Sequence, residues 1–473
     1  MGGELIVGFS VLALALLGAP LFAIVGVLTA LCLTLFTDLS SFLDLKVLIQ
    51  HMEGLATKQE FLAIPLFMAS GAVMTASGIA RRLIELMQAL LSWLPGGMAV
   101  AGVAAGMFFA AISGSSPVTL IAVGSMMVPA LIRSGYPENF SMGLITTAGS
   151  LGCLVPPSMS MLIYAISVSG TQSVDPSDLF LAGLIPAFLI AGLLALYSIM
   201  TGLRLGGKRG HFSLKVLREK FIDGAWAVFL PVLVLGGIYG GWYTPSQAGA
   251  VAVAYSLWLA LWVYRDLDLK KMLLAFMESA ALMGALLPII VLAFGLNEFL
   301  ALMEVQDRLM AFLRETQPSA AQFMLLVNVV LIVLGALMDS ISATLIFAPL
   351  LAPIAQQLYG IDPLHFGVVF VVNMEIGYLM PPVATNLFVA SAVFKKPFGQ
   401  VTRAVLPTLA MTCFALLLVI YFPTLSLGAL HWKKGQPIVT SFPWSGGAGG
   451  KSAEAPPSGL KGLTTKMLED MGP

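Results

Sequence analysis

The stretch Gly149-Ser150-Leu151-Gly152-Cys153-Leu154-Val155-Pro156-Pro157-Ser158-Met159-Ser160 lies inside an apolar run from Phe140 to Val168. Two consecutive prolines remove two backbone donors, and their rings clash with the preceding turn. Pro156 also drives Val155 out of the α region, and Gly149 and Gly152 loosen the turn before it. A smooth helix is not expected here. In hydrocarbon, interrupted backbone persists only where protein buries it or where it lines a polar cavity. Taken alone, the stretch is equally a proline kink in an ordinary membrane helix, since Pro and Gly are common there.

A second copy decides between these readings. Gly152 and Gly377 differ by 377 − 152 = 225. The same offset carries Pro156-Pro157 onto Pro381-Pro382, and Leu162 and Ala165 onto Leu387 and Ala390. It also carries Ser115 onto Ser340, Thr119-Leu120 onto Thr344-Leu345, Gly135 onto Gly360, Lys46 onto Lys271 and Met52-Glu53 onto Met277-Glu278. No gap is needed from Lys46 to Ala165. Paired, interrupted hydrophobic segments in two halves point to the binding site of a transporter.

The chain is 58% hydrophobic and 10% charged, with a mean hydropathy of +0.94. A soluble domain carries about 25% charged residues, so this composition implies a polytopic membrane protein in a lipid bilayer. Its long runs imply helices rather than a barrel. The net charge of zero suggests no nucleic-acid partner. Cys32, Cys153 and Cys413 lie far apart in apolar runs, and His51, His211, His365 and His431 are scattered, so neither disulfide nor metal-ligand spacing is present. The first 36 residues are too long and apolar for a signal-peptide core and read as membrane span.

The expected class is an all-α membrane fold with two repeats, each pairing a re-entrant hairpin with a broken helix. Residues 1–45 form an N-terminal membrane segment. Leu5–Phe36 exceeds the roughly 20 residues one span needs; it is one tilted helix or two pieces bent at Pro20. Repeat 1 (46–170) contains an interfacial stretch Asp38–Glu60 leading in, a span Phe61–Ala80, and an amphipathic arm from Arg81-Arg82 to Leu94. A hairpin (97–133) and a broken helix (139–169) complete it. Each hairpin half spans roughly 24 Å at 1.5 Å per residue, short of the ~30 Å hydrocarbon core; two ordinary tilted spans are the alternative. Residues 171–270 connect, through a span Ser177–Arg204, a basic loop Gly206–Lys220, and spans Gly224–Tyr239 and Pro245–Tyr264. Repeat 2 (271–396) holds a span Ala280–Leu300, an arm Glu304–Thr316, a hairpin (320–359) and a broken helix (364–394). A last span lies in 397–427, and 428–473 reads as a flexible polar tail.

Basic loops belong in the cytoplasm. With Gly206–Lys220 inside, Arg265, Lys270, Lys271, Lys395, Lys396, Arg133, Arg81 and Arg82 also fall inside, and Asp175 and Asp178 fall outside. Lys46 is the one basic residue left outside. Two crossings within a repeat and three connecting crossings make five between equivalent points. An odd number inverts the second repeat. Hairpin 1 then opens to the cytoplasm and hairpin 2 to the outside.

Two hairpin tips and two breaks are expected to meet near the midplane. Helix N-termini suit carboxylates; unwound carbonyls with hydroxyl, amide and carboxylate oxygens suit Na⁺. Tip 1 offers Ser113, Gly114, Ser115, Ser116 and Thr119. Break 1 offers Gly149, Ser150, Gly152, Ser158 and Ser160 around Pro156 and Pro157. Tip 2 offers Asp339, Ser340, Ser342 and Thr344. Break 2 offers Asn373, Glu375, Gly377, Thr385 and Asn386 around Pro381 and Pro382. Na⁺ is expected at Ser115, Gly152, Ser340 and Gly377, with no other cofactor. Small residues at these positions equally let helices approach closely. Asp339 and Glu375 are the only acids in these segments; an ionisable group inside a membrane defaults to a functional reading, with a structural ion pair or an interfacial position as the alternative. Tyr164, Tyr378 and Asn328 read as packing residues.

Ser113-Gly114-Ser115-Ser116 with Thr119, then Gly135-Tyr136-Pro137, Gly149, Gly152 and Pro156-Pro157-Ser158 resemble the large membrane subunit of tripartite ATP-independent periplasmic (TRAP) transporters. Asp339, Pro349, Pro353, Gly377, Pro381-Pro382 and Asn386 resemble that family's second repeat, and the likeness covers residues 4–427. It implies an elevator transporter of the bacterial inner membrane, coupled to Na⁺, importing a small organic acid such as a dicarboxylate. It also implies two partners: a small four-helix membrane subunit and a periplasmic substrate-binding protein. Pro117 after the tip serines and a long tail after Gly428 depart from the pattern. The short segment before repeat 1 leaves the four-helix subunit as a separate chain. Rival readings are a standalone symporter of the same plan, and an intramembrane enzyme using Asp339 or Glu375, for which no nucleophile–base arrangement is present.

Overall fold

The computed structural model describes residues 6–10, 13–14, 17, 19, 21–36, 59–205, 213–382 and 384–442. The described residues form an all-α membrane protein, with nine helices long and apolar enough to cross a bilayer. Helix α1 spans Leu21–Phe36, and residues 6–10 and 13–14 before it are also helical; Pro20, where the sequence suggested a bend, lies outside the described residues. The interfacial stretch 38–60 lies almost wholly outside the described residues, as do 206–212 of the basic loop.

Helices α2 (Ala63–Ala76) and α3 (Ile79–Leu91) lead to α4 (Gly97–Ser113) and α5 (Ser116–Arg133). A two-residue turn joins α4 to α5, with Gly114 at φ +60° closing it, a conformation that favours glycine. The first broken helix is α6 (Glu138–Ser150), a single 3₁₀ turn at Leu151–Cys153, and α7 (Met159–Val168). Pro156-Pro157 occupies the gap, and Ser158 restarts the helix by accepting from the Met161 amide at 3.3 Å. Every residue from Phe140 to Val168 is buried, which is what broken backbone in a bilayer requires.

Three long helices follow: α8 (Pro176–Leu205), α9 (Leu214–Tyr239) and α10 (Pro245–Trp258), the last extended by a π-helical turn at Leu259–Val263. Lys215, Arg218 and Lys220, expected in a loop, instead occupy the first two turns of α9. Helix α11 (Leu269–Leu302) is one continuous rod where the sequence suggested a span beginning at Ala280. Asp268 starts it by accepting from the Lys271 amide at 2.7 Å, so residues 270–278, with Lys270, Lys271 and Glu278, are helical from the outset.

Then come α12 (Val305–Thr316), α13 (Ala320–Leu337), α14 (Ser340–Tyr359), α15 (Pro363–Gly377), α16 (Thr385–Phe394), α17 (Phe398–Tyr421) and α18 (Thr424–Lys433). Shifting the ends of α3 by 225 gives 304–316, against 305–316 for α12. Shifting α5 gives 341–358, against 340–359 for α14, and shifting α7 gives 384–393, against 385–394 for α16. The packing is reciprocal too. Helix α5 lies against α16 while α14 lies against α7, and α6 lies against α16 while α15 lies against α7. Contacts at the 225 offset are thus exchanged between the two halves of the chain.

Two further features were not expected. The chain after Gly428 does not begin a flexible tail. Thr440 and Thr424 exchange hydrogen bonds of 3.0 and 3.1 Å, Phe442 is buried against Tyr421, and Lys434 pairs with Asp178 at 2.6 Å. Of the expected tail, 443–473 lie outside the described residues. The arm α3 is also fastened to the connecting helices. Arg82 donates to Asp266 at 2.6 Å and Asp223 at 3.2 Å, and lies 3.8 Å over the Tyr264 ring. Its counterpart, 82 + 225 = 307, is Asp307, so this cluster belongs to one repeat alone.

Candidate functional site

Tip 1 is the α4–α5 turn. The Ser113 and Thr119 hydroxyls lie 2.8 Å apart, and Thr119 donates to the Ser115 carbonyl at 2.8 Å. Tip 2 is the α13–α14 turn, where Thr344 donates to the Ser340 carbonyl at 2.6 Å. These two bonds are equivalents at the 225 offset. Asp339 does not stand free as a ligand. It caps α14, accepting from the Ser342 amide at 3.0 Å and the Ser342 hydroxyl at 2.6 Å, so its charge faces a helix N-terminus that stabilises it.

Each tip is docked on the break of its own repeat. A Cβ on Gly152 would lie 2.7 Å from the Ser115 carbonyl carbon, and one on Gly377 would lie 2.5 Å from the backbone of Gly335. The Met159 amide donates to the Gly114 carbonyl at 3.3 Å. Contact then passes across the repeats. The Asn386 amide donates to the Ser116 hydroxyl at 2.5 Å, and the Ser160 and Ser340 hydroxyls lie 3.4 Å apart. The breaks themselves meet where Ser150 and Glu375 stand 2.9 Å apart. All four elements therefore converge. Thr385 opens α16, while Gly149 packs against the α5 backbone at Leu120.

The breaks are not equally enclosed. Pro156 and Pro157 are buried, whereas Met380, Pro381 and Pro382 are exposed. Both proline pairs contain a cis bond. Asn373 and Asn386 are buried, each with a side-chain carbonyl oxygen that has no partner among the described residues. Unpaired buried oxygens of this kind are candidate cation ligands. Asn328 donates within its own helix and accepts from Asn373, so it is part of the polar interior, beyond the packing role expected of it. Tyr164 donates to the Pro363 carbonyl at 3.1 Å, holding α7 to the start of α15. Among the described residues no three of His, Cys, Asp or Glu cluster as metal ligands.

A cavity of about 190 Å³ opens beside tip 1, between α2, α5 and α11. Ser113 and Ser115 line it, with Thr75, Glu278 and Ser279 opposite. The sequence had marked Glu278 only as a repeat position. Its place on this cavity follows from α11 being continuous, which no local signal announced.

A family model for the tripartite ATP-independent periplasmic transporter DctM component matches residues 8–425. A C4-dicarboxylate TRAP transporter large permease protein DctM of Pseudomonas aeruginosa is 41% identical over 375 residues, covering 78% of this chain and 86% of that protein. The protein of the same description from Rhodobacter capsulatus is 38% identical over 427 residues, covering 88% and 96%. In structure, the Alcanivorax borkumensis YdaH transporter aligns with a TM-score of 0.52 at 16% identity, over 89% of this chain and 98% of that one; this likeness concerns the fold alone. With a family model spanning nearly all of its helices and relatives above the level at which homology is secure, the chain belongs to the DctM family of TRAP transporter large permeases.

Proposed function

We propose that this chain imports a small organic acid by coupling it to inward Na⁺ movement, and that the hairpins and broken helices α4–α7 and α13–α16 move as one unit against the remaining helices. The observation that carries this reading is the convergence of both tips and both breaks, set beside family membership. Helix N-termini at Met159 and Thr385 offer partial positive charge to a carboxylate. The carbonyls and hydroxyls at Ser115, Gly152, Ser340 and Gly377 offer hard oxygen ligands to Na⁺. No Lys or Arg side chain takes part in these tip and break contacts, so bound Na⁺ supplies the positive charge that an anion needs.

Three long helices, α8 to α10, separate the repeats, which supports an inverted arrangement with its two-fold axis in the membrane plane. Buried Pro156-Pro157 and exposed Pro381-Pro382 support a state open on one side. The small membrane subunit and the periplasmic binding protein complete the assembly in the inner membrane. A relative from Oleidesulfovibrio alaskensis is described as an isethionate TRAP transporter permease protein DctMQ, and the joined designation supports a close pairing of two membrane components. The relatives' C4-dicarboxylate descriptions make dicarboxylates the first substrates to try. Uptake into proteoliposomes holding this chain and its small subunit tests the reading. Accumulation should require both an inward Na⁺ gradient and the binding protein. Accumulation independent of Na⁺ would overturn the coupling, and accumulation without the binding protein would favour a standalone symporter.

A further inference from the structure

A cavity of about 320 Å³ lies between α5, the start of α6 and the end of α16. Arg133, Glu138 and Lys396 line it, together with an apolar wall of Ile132, Met142 and Phe394. Lys396 pairs with Glu138 at 2.7 Å. Among the described residues Arg133 has no ion-pair partner. Two cations and one carboxylate leave a formal 2 − 1 = +1 beside the apolar wall. The turn that carries Lys396 is fixed to the last turn of α16. The Ser391 hydroxyl donates to the Lys396 carbonyl at 2.6 Å, and the Lys396 amide donates to the Ser391 carbonyl at 3.1 Å.

We propose that this cavity is a site for an anionic phospholipid, its phosphate held between Arg133 and Lys396 and its acyl chains against the apolar wall.

The repeat supplies a comparison within the same molecule. A second cavity, of about 350 Å³, is lined by Pro349, Leu350 and Thr171. At the 225 offset these are the equivalents of Gly124, Ser125 and Lys396, which line the first. None of the described residues lining the second cavity is Lys or Arg. The equivalents of Arg133 and Glu138 are Leu358 and Pro363. Both halves therefore leave a cavity at this place, and one of them alone surrounds it with cations. Packing does not require the charges.

Their sign suits the leaflet that this end meets. The positive-inside rule sets it in the cytoplasm. The cytoplasmic leaflet is anionic, and basic pockets between membrane helices there take acidic headgroups. The Arg133 fork matches phosphate oxygens, and Lys396 adds a point charge. A free phosphate would meet the same cations but gain nothing from Ile132, Met142 and Phe394, which favours the lipid as its source. The site is remote from tip 1. Arg133 stands 133 − 116 = 17 positions beyond Ser116 on the same helix, about 25 Å at 1.5 Å per residue. A headgroup bridging Arg133 and Lys396 ties hairpin 1 to the end of the second broken helix.

Native mass spectrometry of the full chain tests the site. The protein is released from dodecyl maltoside micelles doped with phosphatidylglycerol, or with phosphatidylcholine of the same acyl chains. Phosphatidylglycerol should be retained in preference, and Arg133→Gln and Lys396→Gln should each weaken that retention roughly fivefold. Glu138→Gln removes the competing carboxylate and should strengthen it, a gain that neither misfolding nor the loss of a purely structural ion pair can produce. Arg218→Gln, exposed on α9 and outside the cavity, should leave retention unchanged. Equal retention of the two lipids, retention indifferent to both Arg133→Gln and Lys396→Gln, or an equal loss in Arg218→Gln would overturn the proposal. Displacement of the lipid by millimolar inorganic phosphate would make the ligand a soluble anion and overturn the lipid assignment. None of these outcomes depends on Na⁺ coupling.

Discussion

Gly377 and Gly335 meet backbone to backbone. A Cβ added to Gly377 would fall 2.5 Å from the Gly335 Cα, while one added to Gly335 would find the Gly377 Cα at 3.1 Å. The second hairpin therefore seats on its break through two missing side chains, and the contact is less forgiving on one side than on the other.

From this follows an ordering of variants. Gly377→Ala should destabilise by about 1–3 kcal/mol through overpacking against rigid backbone, and Gly335→Ala by less. Gly152→Ala, pressed on the Ser115 backbone at 2.7 Å, should resemble Gly377→Ala. Thermal unfolding in detergent measures the order; equal effects at Gly335 and Gly377 would deny the asymmetry.

A second expectation concerns the ion. Ser115 and Ser340 are repeat equivalents whose carbonyls each accept from a threonine one turn on. Replacing either hydroxyl by hydrogen removes an oxygen at the tip without disturbing that backbone bond. Ser115→Ala and Ser340→Ala should each raise the Na⁺ concentration for half-maximal uptake by roughly tenfold, the equivalent of about 1.4 kcal/mol. Unchanged Na⁺ dependence in both would place the ion elsewhere.

The arm α3 gives a third. Arg82, only 12% exposed, bridges Asp266 and Asp223. Arg82→Ala strands Asp266 and should cost about 2 kcal/mol, less than a fully buried pair because Asp223 is partly solvated. Lys lacks the planar fork that reaches both acids, so Arg82→Lys should recover less than half of that loss. Unfolding followed by tryptophan fluorescence reports both.

Glu85 on the same arm supplies a pH test. Burial pushes its carboxyl up, but Lys220 at 2.8 Å and Arg81 at 2.9 Å outweigh this and hold it below its ordinary value. A lowered folded value means the stabilisation is present above the unfolded value, near 4.3, and is lost as pH falls through the folded one. For a pair this exposed it amounts to at most about 1 kcal/mol. Glu85→Gln should be less stable than the unaltered protein at neutral pH and equal to it in acid. A deficit that persists in acid would show that packing, not charge, is lost.

Much of this was legible because proline and glycine act locally. Pro156-Pro157 and Pro381-Pro382 stop a helix whatever surrounds them, so the breaks, and the offset relating them, could be read directly. The tips were legible for the same reason at Gly114. Less legible was anything set by distant partners. Asp339 looked like a free intramembrane acid because its capping bond to Ser342 needs a helix start that the apolar run conceals. The continuity of α11 was hidden because Lys270, Lys271 and Glu278 set the expected start of the span at Ala280, and so the place of Glu278 on a cavity was hidden with it. Residues 428–442 are polar enough to suggest a tail, yet Phe442 and two threonines suffice to fold them back. Arg82 and Asp266 are 184 positions apart, and no local pattern pairs them.

Side-specific labelling of one pair of equivalent positions tests the inverted architecture on which the transport reading rests. Thr171 and Lys396 differ by 396 − 171 = 225 and follow the two broken helices. Of the native cysteines, Cys32 and Cys153 are buried and Cys413 is half-buried, so Cys413→Ser gives a quiet background. An impermeant maleimide applied to intact cells lacking an outer barrier should label Thr171→Cys at once and Lys396→Cys only after permeabilisation. Labelling of both from the same side would contradict the inversion, and with it the proposal that the two breaks form one alternating-access site.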